Sequence, residues 1–287
     1  MAPSGRGVSR TRIRELLEAH DLGPSRALGQ NFLCDQGMVD KIVRLAGVGT
    51  DDHVLEIGPG LGSLTEGLCA TGARVVAVEI DRHLIPALTD QVGHHEESGR
   101  LTIINADVRE LDWPSVLGDH RWAVVANLPY NIATPLILDL LAEQPQLERW
   151  VVMVQREAGE RLVSDPGSRT YGIPSVLLAY WADARIVGSV PAELFLPKPN
   201  VESVLVEIRR RPGAADAPDY EFALLSRLVR TAFGQRRKML RKSLAGMADG
   251  DQLETAGIDP TRRPEELGLE HWLRLTATVA DEASGRT

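Results

Sequence analysis

Five short apolar runs separated by helix-like stretches constrain the fold of this chain more than any other feature. They lie between residues 51 and 160 and are HVLEIG (53–58), RVVAVEI (74–80), LTIINA (101–106), WAVVANL (122–128) and RWVVMVQ (149–155). Near-continuous apolar runs of this length are typical of parallel strands that are buried on both faces. Their alternation with helices indicates right-handed βαβ units. The sequence therefore predicts an α/β fold, a Rossmann-like doubly wound sheet.

Later segments predict how the sheet closes and where a second domain begins. RIVGSV (185–190) and ESVLVEI (202–208) are further strand candidates, separated by a long connection that closes the sheet with antiparallel pairing. RRRPGAADAPD (209–219) is typical of a linker, and only helical patterns follow it. The expected domains are a basic N-terminal arm or helix (1–27), an α/β domain (28–209), a linker (210–219) and a small all-α domain (220–287).

The chain is acidic overall but contains two basic stretches. A formal net charge of −8 argues by itself against a nucleic-acid partner. Between Glu221 and Asp249, however, there is no carboxylate. That window contains Arg227, Arg230, Arg236, Arg237, Lys238, Arg241 and Lys242, and a second cluster near the start contains Arg6, Arg10, Arg12 and Arg14. An acidic protein with two basic stretches can still present a basic face to a polyanion.

Cysteine usage and hydropathy indicate the compartment. Cys34 and Cys69 lie far apart and form no CxxC pair, so we expect no disulfide framework and a reducing compartment. No apolar run approaches the roughly 20 residues of a membrane span. The start of the chain, MAPSGRGVSRTRIR, resembles a transit peptide in composition, but a frayed basic arm is the favoured interpretation. We expect a cytoplasmic protein.

A glycine loop follows the first strand. In EIGPGLGSLTE, Gly58, Gly60 and Gly62 stand between a strand and a helix, where glycine permits a tight turn and a close approach of a ligand to the backbone. The helix opens with the Ser63-x-x-Glu66 spacing of a capping box. The motif is GxGxG, not the GxGxxG of dinucleotide sites.

Acidic residues follow the next two strands. Glu79 lies about 20 residues beyond the loop, where a carboxylate can accept hydrogen bonds from both ribose hydroxyls, and Asp107 follows the third strand. These positions predict an adenosine-containing cofactor. By themselves they do not separate nicotinamide cofactors from S-adenosylmethionine.

The fourth strand ends in Asn-Leu-Pro-Tyr. The Asn127 side-chain carbonyl and the Leu128 backbone carbonyl offer two acceptors, Pro129 holds the turn rigid, and Tyr130 supplies an aromatic face. Two acceptors beside an aromatic plane suit the exocyclic amino group of a planar base. The run HHEE (94–97) contains metal-ligand types, but consecutive residues cannot all converge on one ion. We interpret it as a solvated loop and expect no metal.

Four segments together resemble the KsgA-type rRNA adenine N6,N6-dimethyltransferases. They are LGQNFLCD (28–35), EIGPGLGSLTE (56–66), NLPYNIATP (127–135) and FLPKPNVESVLVEI (195–208). A fifth, AFGQRRKMLRKSL (232–244), resembles the segment that opens the family's small C-terminal domain. The resemblance spans about residues 9 to 275, and it implies a class I methyltransferase fold with a mixed seven-stranded sheet.

The resemblance also implies roles for individual residues. Those implied to bind S-adenosylmethionine are Gln30, Asn31, Leu33, Gly58, Gly60, Glu79, Asp107 and Asn127. Those implied to act on the target adenine are Asn127, Leu128, Tyr130 and Phe195, with the two rings sandwiching the base. Without the resemblance, Phe195 would be interpreted as a core residue. RNA contacts are implied for Arg236, Arg237, Lys238, Arg241 and Lys242.

The function implied is N6,N6-dimethylation of two adjacent adenines in the 3′-terminal hairpin loop of 16S rRNA, by a monomer acting on the 30S subunit or its precursor, with a role in subunit biogenesis. Three alternatives remain. One is a 23S rRNA dimethyltransferase of the macrolide-resistance type, because Gly234 and Lys242 stand where the small-subunit enzymes are expected to have asparagine. The others are a mainly non-catalytic assembly factor and an NAD-dependent oxidoreductase.

Overall fold

A mixed seven-stranded sheet forms the centre of the computed structural model, which describes residues 8–25, 28–130, 132–213 and 219–285. Its strands are β2 (His53–Ile57), β3 (Arg74–Glu79), β4 (Leu101–Asn105), β5 (Trp122–Asn127), β6 (Leu147–Gln155), β7 (Ala182–Val190) and β9 (Ser203–Arg210). Across the sheet they follow the order β4-β3-β2-β5-β6-β9-β7. Strands β2 to β6 pair in parallel, and β9 runs antiparallel to β6. The predicted α/β class and sheet are confirmed.

A second, two-stranded sheet joins distant parts of the sequence. Strand β1 (Phe32–Leu33) pairs antiparallel with β8 (Phe195–Leu196), so that Leu33 lies opposite Phe195. The segments LGQNFLCD and FLPKPNV are therefore neighbours in space, although about 160 residues separate them in the chain.

Twelve helices accompany the strands in the described residues. They are α1 (Arg10–Ala19), α2 (Gln36–Ala46), α3 (Ser63–Ala70), α4 (Ile85–Glu97), α5 (Trp113–Leu117), α6 (Ala133–Glu143), α7 (Arg156–Leu162), α8 (Ile173–Trp181), α9 (Asp219–Gly234), α10 (Leu240–Ser243), α11 (Gly250–Thr255) and α12 (Leu269–Gly285). Within the described part of the chain, none is long and apolar enough to cross a bilayer.

Two local predictions are wrong. The expected capping box does not form, because the helix α3 begins after Gly62 (φ 80°) and the Ser63 hydroxyl donates to the Leu33 carbonyl, at 2.7 Å. The run 94–97 is not a loop, because α4 continues to Glu97. In the first case a contact between distant segments decides what the local pattern could not.

The chain divides into two compact units, Met1–Gly159 with Arg185–Arg209, and Glu160–Ala184 with Arg210–Thr287. In the first unit, the core lies between the sheet and its helices, with Val54, Ala77 and Val125 of the strands buried against Val39 and Leu88. Burial of such side chains is the main favourable term in folding.

The second unit has its own aromatic core. The Phe222 ring lies 5.2 Å from that of Tyr180 and 4.8 Å from that of Trp181, and the Tyr171 hydroxyl donates to the Leu267 carbonyl at 2.7 Å. Residues 160–184 thus group with the C-terminal helices. The domain limits inferred from the sequence stay a prediction. Arg6, Asn131 and residues 214–218 of the proposed linker lie outside the described residues.

Candidate active site

A pocket lies at the carboxyl ends of strands β2 to β5. The loops after parallel strands meet at this edge, where α/β sheets bind their ligands. The predicted cofactor residues all line it, namely Gln30, Asn31, Leu33, Gly58, Gly60, Glu79, Asp107 and Asn127. Leu128 and Tyr130 line it as well.

The glycine loop brings backbone close to this pocket. Gly58 (φ 70°) and Gly60 (φ 58°) adopt the left-handed conformation that favours glycine. A Cβ added to Gly58 would lie 3.9 Å from the Asn127 carbonyl oxygen, and one added to Gly60 would lie 3.0 Å from the Phe32 ring. The positive φ therefore favours glycine at both positions, and at Gly60 the Phe32 ring also leaves little room for a Cβ.

Glu79 is held in a single orientation. Its carboxylate accepts hydrogen bonds from the Gly60 amide (3.0 Å) and the Asp81 amide (2.9 Å), and its residue is only 5% exposed. Burial raises the Glu79 pKa, against the effect of these two bonds. The result is a pre-oriented acceptor at the end of β3.

Asp107 is paired with a residue that the sequence did not single out. Arg109 donates to it twice from its guanidinium (3.0 and 2.5 Å) and once from its amide (3.0 Å). The hydrogen bond from Arg109 lowers the Asp107 pKa, so the carboxylate is ionised at neutral pH. Arg109 itself lines the pocket, two residues beyond the predicted Asp107.

The loop before β1 is tied to two strand ends. Gln30 accepts from the Ser25 amide (2.7 Å) and donates to the Asp81 carboxylate (2.8 Å). The Asn31 carbonyl accepts from the Asn127 side chain. Gln30 thus lies at the pocket and also positions the loop that carries Asn31.

Asn127 ends β5 with its side chain constrained. Its amide Nδ2 donates to the Asn31 carbonyl at 3.0 Å, which orients Oδ1 as the acceptor of this side chain. The Leu128 amide donates to Met153 at 3.1 Å, and the Pro129 carbonyl accepts from Ala133 at 3.1 Å as α6 begins. The backbone of Leu128 and Pro129, which follow Asn127 in the turn, is therefore anchored as well.

Tyr130 is anchored by a residue that sequence reasoning missed. Its hydroxyl and that of Ser203 lie 2.7 Å apart, and Ser203 is fully buried at the start of β9. Burial raises the Tyr130 pKa, so the phenol stays neutral. Ser203 belongs to the matched segment FLPKPNVESVLVEI, which was the available signal.

Phe195 is placed differently from the other predicted residues. It is 0% exposed and lies in the hydrophobic core with Leu33 and Leu205, and it does not line the pocket. The physical reason is that β8, which carries it, pairs with β1 and turns the ring into the core. The described arrangement brings Tyr130, but not Phe195, to the pocket wall.

Glu56 is a further pocket residue that the sequence did not reveal. It is 1% exposed, and its Oε2 has no hydrogen-bond partner in the described part of the structure. Burial raises its pKa to about 8, and the nearby Glu79 adds to the shift. A buried carboxylate oxygen without a partner suits a cationic group of a ligand.

The basic residues of the second unit are not equivalent. Arg236, in the turn after α9, donates to the Glu265 carboxylate at 2.5 Å and to the Arg169 carbonyl at 3.2 Å. The others are exposed, in the same turn or in α10, and are Arg237, Lys238, Arg241 and Lys242. Arg236 therefore has a structural role that the other four cations do not share.

Comparison with solved structures supports this architecture. A dimethyladenosine transferase from Plasmodium falciparum superposes with a TM-score of 0.74 at 24% identity, covering 88% of this chain and 98% of that one. The 23S rRNA methyltransferase ErmE superposes with a TM-score of 0.68 at 26% identity, covering 87% and 100%.

Sequence comparison identifies the family. Proteins named Ribosomal RNA small subunit methyltransferase A are 42% identical in Bifidobacterium longum subsp. infantis (95% of this chain, 94% of the relative) and 45% in Cutibacterium acnes (93% of each). One from Mycobacterium avium is 44% identical (96% and 88%). Residues 25–281 match the family described as Ribosomal RNA adenine dimethylase. The chain belongs to the ribosomal RNA adenine dimethylase family.

Proposed function

We propose that this chain transfers methyl groups from S-adenosylmethionine to N6 of two adjacent adenines in the 3′-terminal hairpin loop of 16S rRNA, in the small ribosomal subunit or its precursor. Relatives that share 42–45% of their residues with it along nearly their whole length are named small-subunit rRNA methyltransferases. The observation that carries the proposal is the Asn127 amide of the pocket wall, which donates to the Asn31 carbonyl and so leaves Oδ1 as the acceptor of this side chain.

The pocket residues fit the cofactor chemically. S-adenosylmethionine supplies, when bound, an electrophilic methyl group on a sulfonium. Glu79 offers an oriented carboxylate for ribose hydroxyls, Asp107 an ionised one for the adenine amino group, and Glu56 a buried carboxyl for the ammonium group.

The target amine is a poor nucleophile because its lone pair is delocalised into the ring. The Asn127 and Leu128 carbonyls accept its N–H bonds and draw the nitrogen toward tetrahedral character. Tyr130, held by Ser203, gives the base a face on which to stack. Positioning of the adenine against the methyl donor and fixed dipoles then account for the rate acceleration, without a metal or a strong base.

The adenine must be unstacked to enter such a pocket, as bases in rRNA loops can be. The exposed cations Arg237, Lys238, Arg241 and Lys242 provide phosphate contacts. We further propose a monomeric enzyme of the bacterial cytoplasm with a second role in subunit biogenesis, in keeping with its bacterial relatives.

The test uses labelled S-adenosylmethionine with unmethylated 30S and 50S particles in parallel, followed by mapping of the modified nucleotides. We expect label in 16S rRNA alone, at two adjacent adenines. Label in 23S rRNA would instead support the alternative function, that of a 23S rRNA dimethyltransferase. The structural similarity to the 23S rRNA methyltransferase ErmE is the reason for testing it. Binding of 30S particles without label would favour the non-catalytic assembly factor.

A further inference from the structure

Three side chains that the proposed methyl transfer does not use converge between α3 and α4. Glu66 of α3 points its Oε2 at two histidines in the last turn of α4. The His95 Nε2 lies 3.2 Å from that oxygen and the His94 Nε2 lies 3.7 Å from it. The two imidazole rings are 4.0 Å apart.

The separations between these three groups also match those between the ligands of a single metal ion. The His95 contact with Glu66 is within hydrogen-bond range, whereas at 3.7 Å the His94 contact is too long for a hydrogen bond. Ligands at about 2.0–2.2 Å from a tetrahedral Zn²⁺ lie roughly 3.3 Å from one another. The two observed separations lie on either side of that value, and one ligand atom from each residue falls within 4.8 Å of the others.

Burial agrees with this geometry. The side chains of Glu66 and His95 are 13% and 12% exposed, while that of His94 is 55% exposed and leaves the group open to solvent. Burial lowers the His95 pKa, against the opposing effect of Glu66. The positive charge of Arg100 also lowers this pKa, and the same charge would repel a bound cation.

We propose that Glu66, His94 and His95 bind one divalent transition-metal ion of the Zn²⁺, Co²⁺ or Ni²⁺ type, with solvent in the remaining positions. Two imidazoles and one carboxylate favour such ions over Mg²⁺ or Ca²⁺, which prefer all-oxygen ligands. The ion cross-links α3 to α4, and so stabilises the fold rather than taking part in methyl transfer.

The test is calorimetric titration of the full-length protein with Zn²⁺ and with Co²⁺, together with the visible spectrum of the cobalt form. We expect one ion per chain, a rise in melting temperature, and no competition from millimolar Mg²⁺. His95→Gln and His94→Gln should each weaken binding at least about tenfold. Arg100→Gln should tighten it, because a repelling charge is removed.

A matched control comes from the other close histidine pair of the first unit. The rings of His53 and His120 are stacked 4.0 Å apart. His120→Gln should leave Zn²⁺ affinity unchanged, and none of these variants should lower methyl incorporation. Absence of saturable Zn²⁺ binding by the parent protein overturns the proposal, as does binding that survives both His94→Gln and His95→Gln. Because His94 is exposed, its variant remains informative even if the His95 variant folds poorly.

Discussion

The pocket of the first unit and the basic stretch 236–242 of the second use polar groups in different ways. In the pocket, Glu79, Asn127 and Tyr130 are each held by a hydrogen bond from a distant segment. In the basic stretch, Arg237 and Lys238 extend into solvent from a turn. Fixed groups in a low-dielectric site contribute large individual effects, whereas exposed cations contribute small, salt-screened and nearly additive ones. Single substitutions should therefore matter in the first region and only combined ones in the second.

The largest expected effect is on the free energy of unfolding and comes from the buried Glu56 carboxyl of the pocket. In the cofactor-free protein, the Glu56 pKa rises from 4.5 to about 8. Between these values the folded chain keeps a proton that the unfolded chain has released, so this residue lowers stability as pH rises. Glu56→Gln remains neutral throughout. The free energy of unfolding of the variant relative to the parent should increase by up to about 5 kcal/mol between pH 4.5 and pH 8.

Urea denaturation of both proteins at several pH values measures this difference, and the comparison with the parent cancels the titration of histidines. A difference that does not change with pH would show that Glu56 ionises normally and that the pocket does not control its charge.

The substitution Asn127→Ala should have the next largest effect, on the rate of methyl transfer. It removes the oriented acceptor, and loss of a single oxyanion-hole hydrogen-bonding group costs about 10² to 10³ in kcat. We expect methyl incorporation into 30S particles to fall by at least this factor while particle binding persists, measured by labelled methyl transfer and by filter binding. Unchanged incorporation would remove the role assigned to Asn127.

Glu79→Gln should weaken S-adenosylmethionine binding by about tenfold to a hundredfold, because hydrogen bonds to a charged group contribute about 1.5–3 kcal/mol. Isothermal titration gives the dissociation constant. Glu143→Gln is the matched control, since this carboxylate lies exposed at the end of α6 and should leave affinity unchanged. An affinity within twofold of the parent would exclude Glu79 from the cofactor site.

The smallest effect per residue belongs to the basic stretch. Combined substitution of Arg237, Lys238 and Lys242 by Gln should weaken RNA binding and reduce the slope of log affinity against log salt by about 2 to 3. Arg236 is left intact because its ion pair with Glu265 is structural. Binding measured at several salt concentrations gives the slope.

The control for this variant removes the same charge from exposed cations of the first unit, Arg44, Arg74 and Arg121. Equal slopes in the two triple variants would mean that the basic stretch has no special role. It would then be no different from any other charged surface of the protein.

Prediction from sequence succeeded where a local pattern is enough to determine the structure. The five parallel strands follow from runs that must be buried on both faces, and the pocket position of Gly58, Glu79 and Asn127 follows from strand ends that meet at one edge. It failed where a distant partner decides. Ser63 bonds to Leu33 instead of capping its helix. Phe195 is buried, as its local sequence alone suggests, and the role that the resemblance implies for it stays a prediction.

The sequence by itself determined the α/β class, the order of the elements, the family and the pocket position of every cofactor residue that it named, because periodicity and turn chemistry are local properties. Only the tertiary structure decided which of those residues are held and by what, as with the Tyr130–Ser203 and Asn127–Asn31 bonds. It alone decided the burial that keeps Glu56 protonated and the meeting of Glu66 with His95. Hydrogen-bond partners and solvent exposure depend on which segments meet in space, and spacing along the chain does not specify that.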